Sequence, residues 1–149
     1  MSKVRGGDVF LERIKDISEK LDRHAVLKVG FLSGATYPDS DVNVPTVAAI
    51  NEFGAPSRGQ PPRPFFRNMI AKKKGSWGKA ISNLLKENGY SAEKTLRKTG
   101  EGISGQLKQS IHDLTSPPLK QSTIDRKGFN KPLIDTGHML NSVDYEVDI

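Results

Sequence analysis

The 149-residue chain contains no cysteine, and this absence excludes several classes of protein at once. Disulfide scaffolds, thiol catalysis and cysteine-based metal sites all depend on that residue. No apolar run approaches the ~18–20 residues that span a bilayer. Residues 1–8 also lack the apolar stretch of a secretion signal. The sequence therefore predicts a soluble protein that is made in the cytoplasm, with no membrane partner.

The residues that usually carry chemistry are few and scattered. The three histidines have no second histidine or carboxylate at a spacing typical of metal sites. No phosphate loop and no nucleophile elbow is present. The string at 100–105 has the letters of a G-x-G-x-x-G motif, but it falls inside a helical pattern without the preceding strand that dinucleotide binding needs. We expect no cofactor and no metal.

One triplet, Asp135-Thr136-Gly137, has the letters of the aspartic-protease motif. Those enzymes use two aspartates that share a proton, so this chain would need a symmetric dimer to act in that way. A simpler interpretation is that Asp135 or Thr136 caps the helix that follows. We therefore expect that the protein is not an enzyme. An enzyme built on Asp135 is kept as an alternative, ranked after the two functions that are described at the end of this section.

Apolar residues are also scarce, at 35% of the chain against 27% charged residues. The length suits one domain, 1–149, with residues 1–7 as an arm or loose tail. So lean a composition is typical of partial disorder or of a subunit that buries more surface against neighbours, and we favour the second.

The net charge of +6 is unevenly distributed. Residues 1–55 have a balance of −1, residues 56–131 of +11 and residues 132–149 of −4. The basic middle and the acidic end could meet within one subunit or between copies, or the basic part could face nucleic acid. A solvated surface is the ordinary interpretation of a charge run.

Local patterns predict an α+β fold with one small antiparallel sheet. Residues 25–32 read as a strand whose odd positions, Leu27, Val29 and Phe31, face the core. Residues 143–149 alternate apolar and acidic side chains, so we expect a half-buried strand that pairs with the first.

The rest of the chain predicts one long helix and several short ones. Residues 8–23 carry an apolar stripe with Asp8 as the cap. A short helix from Pro45 to Gly54 should bury Val47, Ile50 and Phe53. The next helix is expected to break or bend at Gly75-Ser76. The long helix after Ser91 contains Gly100, Gly102 and Gly105, each of which costs ~1 kcal/mol in a helix interior. Something must offset that cost, most simply a close approach to another helix, or a kink.

Two loops, 33–44 and 55–67, are predicted to protrude. In the second, prolines should form a rigid extended arm, since each fixes its own φ and restrains the residue before it. Phe53 and Phe66 are expected to tie its ends to the fold. Phe65 is an apolar anchor for a partner or enters the core of its own subunit, and both interpretations stay open. The interface candidates are Arg58, Pro61, Pro62, Arg63, Pro64, Phe65, Arg67, Tyr37, Asp39, Asp144, Glu146 and Asp148. The arginines among them should contact acids, which the acidic end of an adjacent copy could supply.

A second set of candidates is basic and lies on the helical segments. Positive charge on a helix face is sufficient for contact with phosphates. The sequence lacks zinc ligands, a helix-turn-helix pattern and RNA-binding strand motifs, so sequence-specific recognition is not expected. The DNA-facing candidates are Lys72, Lys73, Lys74, Lys94, Arg97 and Lys98.

Four stretches in order resemble one known family. They are Val29-Gly-Phe31, then Val47-Ala-Ala-Ile-Asn-Glu-Phe-Gly54, Pro61-Pro-Arg-Pro-Phe-Phe-Arg67 and Pro132-Leu-Ile-Asp-Thr-Gly-His-Met-Leu-Asn-Ser142. Together they look like the neck or tail-completion proteins of tailed bacteriophages, which are also grouped under virion morphogenesis. The resemblance covers about residues 26–149. The N-terminal helix matches only in being a helix.

The resemblance implies a structural virion protein at the neck of the particle, made in the host cytoplasm. Copies of the chain would form a ring between the portal or head-closure complex and the tail terminator or tail tube. Genomic DNA would pass through that ring without sequence recognition. The alternative is a DNA-binding accessory protein without sequence preference.

Overall fold

The computed structural model describes residues 6–22, 24–32, 34–38, 40–130, 132–133 and 137–149. These residues form six α-helices and two strands, so the predicted α+β class is confirmed. In chain order the elements are α1 (Gly7–Leu21), β1 (Val26–Phe31), α2 (Val44–Phe53), α3 (Phe65–Glu87), α4 (Ala92–Asp113), α5 (Gln121–Lys127), α6 (His138–Asn141) and β2 (Val143–Asp148), with a 3-10 turn at Pro56–Arg58. None of the described helices is long and apolar enough to cross a membrane.

The two strands pair as the sequence predicted. β1 and β2 are antiparallel, and the register runs from Val26 opposite Asp148 to Phe31 opposite Val143. Leu27 and Val29 are half-buried, whereas Val26 and Lys28 are exposed. One face of the sheet packs against α4, and the other carries the charged side chains.

Helices α3 and α4 form the long hairpin on which the sheet rests. The predicted break at Gly75-Ser76 is wrong, because α3 runs without interruption through both residues. The Ser76 hydroxyl donates to the Lys73 carbonyl at 2.8 Å, one turn back, so it does not disrupt the helix. Trp77 Nε1 donates to Gln106 Oε1 on α4 at 2.8 Å. We infer that packing against α4 outweighs the ~1 kcal/mol cost of the glycine.

The close approach predicted for the glycines of α4 occurs at one of them. A Cβ on Gly100 would lie 2.5 Å from Cδ2 of Tyr145 and 2.9 Å from Cδ1 of Leu27, so the element that approaches is the sheet and not another helix. Gly102 and Gly105 are exposed and have nothing within 4 Å of an added Cβ.

Gly100→Ala is expected to lower the free energy of unfolding by about 2 kcal/mol. Overpacking against the sheet costs up to about 3 kcal/mol, and the better helix propensity of alanine returns about 1 kcal/mol. Gly105→Ala is the matched control and should raise stability by about 0.5–1 kcal/mol, because no contact opposes the propensity gain. Urea unfolding measures both. Equal effects of the two variants would contradict the close packing of Gly100.

The core lies between the hairpin, the sheet and α2. Its buried apolar residues are Val44, Ala48, Phe65, Met69, Leu107, Ile111, Leu133, Met139 and Val143. In α2 the buried positions are Val44, Ala48 and Glu52, at intervals of four. The predicted burial of Phe53 is wrong, since its side chain is 64% exposed. Val47 and Ile50 are half-buried.

Helix α1 has the predicted position but lies apart from this core. None of its residues is buried, and Phe10 is 63% exposed. Its N-cap is Gly6 with no side-chain cap bond, so the predicted cap by Asp8 is wrong. The predicted caps at Asp135 or Thr136, and the predicted arm over residues 1–5, lie outside the described residues.

Candidate functional site

The segment between α2 and α3, predicted as a protruding arm, is a closed bracket held against the fold. Ala55 and Gln60 exchange backbone hydrogen bonds of 2.9 and 3.1 Å around the 3-10 turn. The Arg63 amide donates to the Asn51 carbonyl at 2.7 Å, and Gln60 Nε2 donates to Asn51 Oδ1 at 3.1 Å. Only the tip, residues 56–59, is exposed throughout.

Glu52 fastens the far end of this bracket. Its carboxylate is buried and accepts hydrogen bonds from the backbone N–H groups of Phe66 (2.9 Å) and Arg67 (3.1 Å). These groups belong to the first turn of α3, which has no side-chain cap of its own. A carboxylate at a helix N-terminus satisfies unpaired donors and is favoured by the helix dipole. Glu52 therefore links the end of α2 to the start of α3.

Arg67 is occupied by its own subunit. Its Nε donates to Glu52 Oε1 at 2.8 Å, its Nη2 donates to the Glu52 carbonyl at 3.1 Å, and its guanidinium lies 4.9 Å from the centre of the Phe53 ring. Arg67 thus makes its polar contacts within its own subunit while its side chain stays 56% exposed, and its role as an interface residue remains a prediction.

Arg63 also points inward. It is 6% exposed, and its Nε donates to the Pro117 carbonyl at 3.1 Å while its Nη2 reaches the Pro118 carbonyl at 3.4 Å. Burial lowers the pKa of Arg63, since removal from water disfavours the charged form. This arginine fastens the bracket to the segment after α4 and is not an outward contact.

Phe65 belongs to the core, which decides between the two interpretations of the sequence. It is 1% exposed, and its ring meets Phe31 of β1 edge-on with centroids 6.1 Å apart. Phe66 is half-buried against the core, as predicted. Of the predicted arm, Arg58 and Pro62 are exposed, while Pro61 and Pro64 are half-buried.

Arg58 lies at a cavity of about 740 Å³, here called the basic cleft, between the bracket and α5. No acidic residue is among the described residues that line it. Its cationic side chains are Arg58, Arg63, Lys120, Arg126 and Lys127. With Arg63 bonded to carbonyls, Arg58, Lys120 and Arg126 are the exposed cations of the cleft. Lys120 and Arg126 were not among the residues predicted from the sequence, although both fall within the basic middle of the chain.

The 33–44 loop contributes to the same cleft but does not stand free of the fold. Thr36 pairs with Asn43, and the Tyr37 amide donates to the Val42 carbonyl at 3.1 Å. Tyr37 is half-buried, packs against the core and lies 5.0 Å, ring centre to ring centre, from His138. Its role as an interface residue therefore remains a prediction. Asp39 lies outside the described residues.

The predicted acidic residues lie on the outer side of the sheet, here called the acidic face. Asp144, Glu146 and Asp148 are all exposed there. Lys28, across the register, forms an ion pair with Asp148. The hydrogen bond and charge of Asp148, and then the charge of Glu146, raise the pKa of Lys28. Lys28 therefore interacts with two of these three carboxylates.

The predicted DNA-facing residues are all exposed, but they form two groups. The Trp77–Gln106 bond fixes the antiparallel alignment of the hairpin. At ~1.5 Å per residue, the lysines at 72–74 lie about 20 Å along the hairpin from the basic residues at 94–98. Arg97 is also bonded to Glu93, at 2.9 Å. The structure does not join the six residues into one continuous patch.

One surface that the sequence did not predict is apolar. A cavity of about 320 Å³, here called the apolar groove, lies between α2, the start of α3 and the end of β1. It is lined by Phe31, Pro45, Ala48, Ala49, Glu52, Phe53, Phe65, Phe66 and Arg67. The exposed ring of Phe53 stands on it. The signal available in the sequence was the four-residue interval Val44, Ala48, Glu52, which turns Phe53 away from the core.

No group of three or more His, Cys, Asp or Glu side chains suited to a metal ion is present among the described residues. Comparison with protein-family models, curated proteins and solved structures finds no match to the chain.

Proposed function

We propose that this chain is a structural subunit of a tailed-phage virion, which forms the ring that joins the head connector to the tail. The observation that carries the proposal is that the single subunit leaves an amphipathic helix and an apolar groove uncovered. A subunit with few apolar core residues is expected to bury further apolar surface against its neighbours. The exposed apolar side chains of α1, and Phe53 at the groove, provide such surface.

The four stretches that resemble neck and tail-completion proteins also meet in space, which supports a structural role for them. Phe31 contacts Phe65, Glu52 binds Arg67, and Asn51 Nδ2 lies 4.0 Å from Met139 Sδ. Each contact joins two different stretches. These residues hold the fold together around the bracket, and none of these contacts has the geometry of a nucleophile activated by a base.

In this proposal the basic cleft faces the next ring of the neck. Arg58 at its edge is exposed and would meet an acidic surface of the head-closure or tail protein. Arg58→Glu should reduce infectious particles on the order of 100-fold in a complementation assay, since like charges set against each other cost several kcal/mol. Lys86→Glu, at the far end of the hairpin, is the control and should complement fully. Equal complementation by both would exclude the cleft as a contact.

Particles assembled without the chain test the function itself. Electron microscopy is expected to show filled, tailless heads beside finished tails. Normal virions in the absence of the chain would contradict the proposal.

The alternative, a DNA-binding accessory protein, has a separate readout. A gel-shift titration in moderate salt should show no stable complex if the role is assembly, because scattered surface cations bind phosphates only weakly once screened. A complex that survives moderate salt would favour the alternative.

A further inference from the structure

Helix α1 is a formed helix whose apolar stripe is mostly exposed, with only Ile17 of its four residues half-buried. Phe10, Ile14 and Leu21 recur at the spacing of one helix face, and they are 63%, 49% and 43% exposed. A 15-residue helix is marginal on its own in water, and most helical stability in proteins comes from packing an apolar face. We therefore expect this stripe to pack against a complementary apolar surface.

The same chain exposes such a surface. Seven of the nine residues that line the apolar groove are apolar, the other two being Glu52 and Arg67, and Phe53 among them is 64% exposed. Ala48 and Ala49 on its wall are small, which lets a helix approach closely.

The groove borders the acidic face at Phe66. A Cβ on Gly30, which shares the outer side of β1 with Lys28, would lie 3.6 Å from the ring of Phe66. Phe66 thus covers the end of the outer sheet surface and also lines the groove. Asp144 stands opposite Gly30 in the register, and Glu146 stands opposite Lys28. An apolar floor is therefore bordered by carboxylates.

Helix α1 carries the matching charges. On the helix, Arg13 and Lys20 lie along one edge of the apolar stripe, whereas Glu12 and Glu19 lie on the opposite side. At ~1.5 Å per residue α1 is about 22 Å long, close to the ~20 Å of the six-residue strand β1 beside the groove. The helix length, the polarity and the charges are therefore compatible with docking along this surface.

We infer that α1 of one copy docks in the apolar groove of a neighbouring copy, with Arg13 and Lys20 towards Asp144 and Glu146. The occupant is a second copy because α1 buries none of its residues against its own chain, whose groove is uncovered. The inference rests on the proposed ring, since it names the lateral contact within that ring. The basic cleft, on the other hand, is assigned to contacts between rings.

The absence of native cysteine allows a direct test with the full chain. Ser18, beside Ile14 and Leu21 on α1, and Ala49 in the groove are each replaced by cysteine in separate proteins. A short thiol cross-linker should join the two variants into a species of twice the subunit mass when they are mixed. Glu12→Cys, on the opposite side of α1, is the control and should give little product with Ala49→Cys.

Three results would overturn the inference. The first is a yield from the mixed variants that is no higher than that of the control. The second is cross-linking of the double variant Ser18→Cys/Ala49→Cys only within one chain. The third is a protein that stays a single subunit at the highest concentration reached in sedimentation. If the copies associate but the cross-link does not form, the docking is wrong and the proposed ring is unaffected. Electron microscopy of particles assembled without the chain tests that ring independently.

Substitutions in the stripe give a second readout. Ile14→Gln should weaken self-association about tenfold or more, because burial of an isoleucine side chain is lost from the contact. Glu12→Gln introduces the same residue on the opposite side and should leave association unchanged. Arg13→Glu should weaken it as well, and Glu146→Arg in the same chain should restore part of the loss. No rescue would exclude this pairing of charges.

Discussion

Replacing Gly54 with alanine is expected to lower the free energy of unfolding by about 4 kcal/mol, the largest effect expected of alanine at any glycine of this chain. Gly54 ends α2 with φ 78° and ψ 175°, a backbone conformation that is nearly restricted to glycine. An added Cβ would lie 2.7 Å from Pro62 N and 2.8 Å from the Gln60 carbonyl oxygen. Both atoms are backbone and cannot turn aside, so the bracket itself would have to open. Urea or thermal unfolding measures the loss.

Gly59 provides the matched control in the same bracket. It also has positive φ, 63°, but the nearest atom to its Cβ position is Lys120 Nζ at 3.9 Å. Gly59→Ala should therefore cost only about 1 kcal/mol, the penalty of the left-handed conformation. Similar losses at both glycines would mean that the bracket is not packed closely against the end of α2.

Glu52→Ala is expected to lower the free energy of unfolding by about 3 kcal/mol. The change leaves two backbone N–H groups of α3 and the Arg67 guanidinium without their acceptor. The side chain of Arg67 is 56% exposed, so water replaces part of its ion pair and the loss comes mainly from the helix start. Guanidinium unfolding with circular dichroism detection gives the measurement.

Glu52→Gln separates charge from hydrogen bonding. Glutamine keeps one acceptor oxygen and should recover about half of the loss. Glu19→Ala on the exposed α1 should change stability by less than about 0.5 kcal/mol. A Glu52→Ala protein as stable as the Glu19→Ala protein would refute the role of Glu52 as the link between α2 and α3.

The sequence was most informative where a pattern reflects burial on one side. Alternation in residues 25–32 and 143–149 defines a core side and a solvent side, and a shift of one residue would exchange them, so the strand pairing was predictable. Asn43 and Ser91 cap α2 and α4, with Thr46 N to Asn43 Oδ1 at 3.3 Å and Lys94 N to Ser91 Oγ at 3.4 Å. Side chains of this kind form caps through local contacts, which is why the start of α4 at Ser91 could be predicted, whereas the sequence prediction began α2 at Pro45 and did not assign the cap to Asn43.

The direction of the proline segment could not be predicted in the same way. Prolines fix local conformation but do not determine whether a rigid segment points away from the fold or lies along it. That was decided by partners distant in sequence: Phe31 for Phe65, and the carbonyls of Pro117 and Pro118 for Arg63. The role of Glu52 was missed for the same reason. Its carboxylate lies on α2, but the backbone N–H groups that donate to it belong to the start of α3.

The charge distribution had a predictable part and an unpredictable part. The acids of residues 144–148 alternate with apolar residues, so their exposure followed from the strand pattern. The basic cleft was not predictable, because it joins Arg58 to Arg126 across the gap between the bracket and α5. The apolar groove depends on which side of α2 faces the core. Glu52 occupies a buried position on that side, and Phe53 consequently lies on the exposed side.

The most direct test of the proposed role locates the chain in finished particles. Immunogold labelling of purified virions, with antibodies raised against this chain, is expected to place gold at the junction of head and tail and nowhere else. Virions that carry no label, or label spread along the tail or over the head, would contradict the assignment of this chain to the neck.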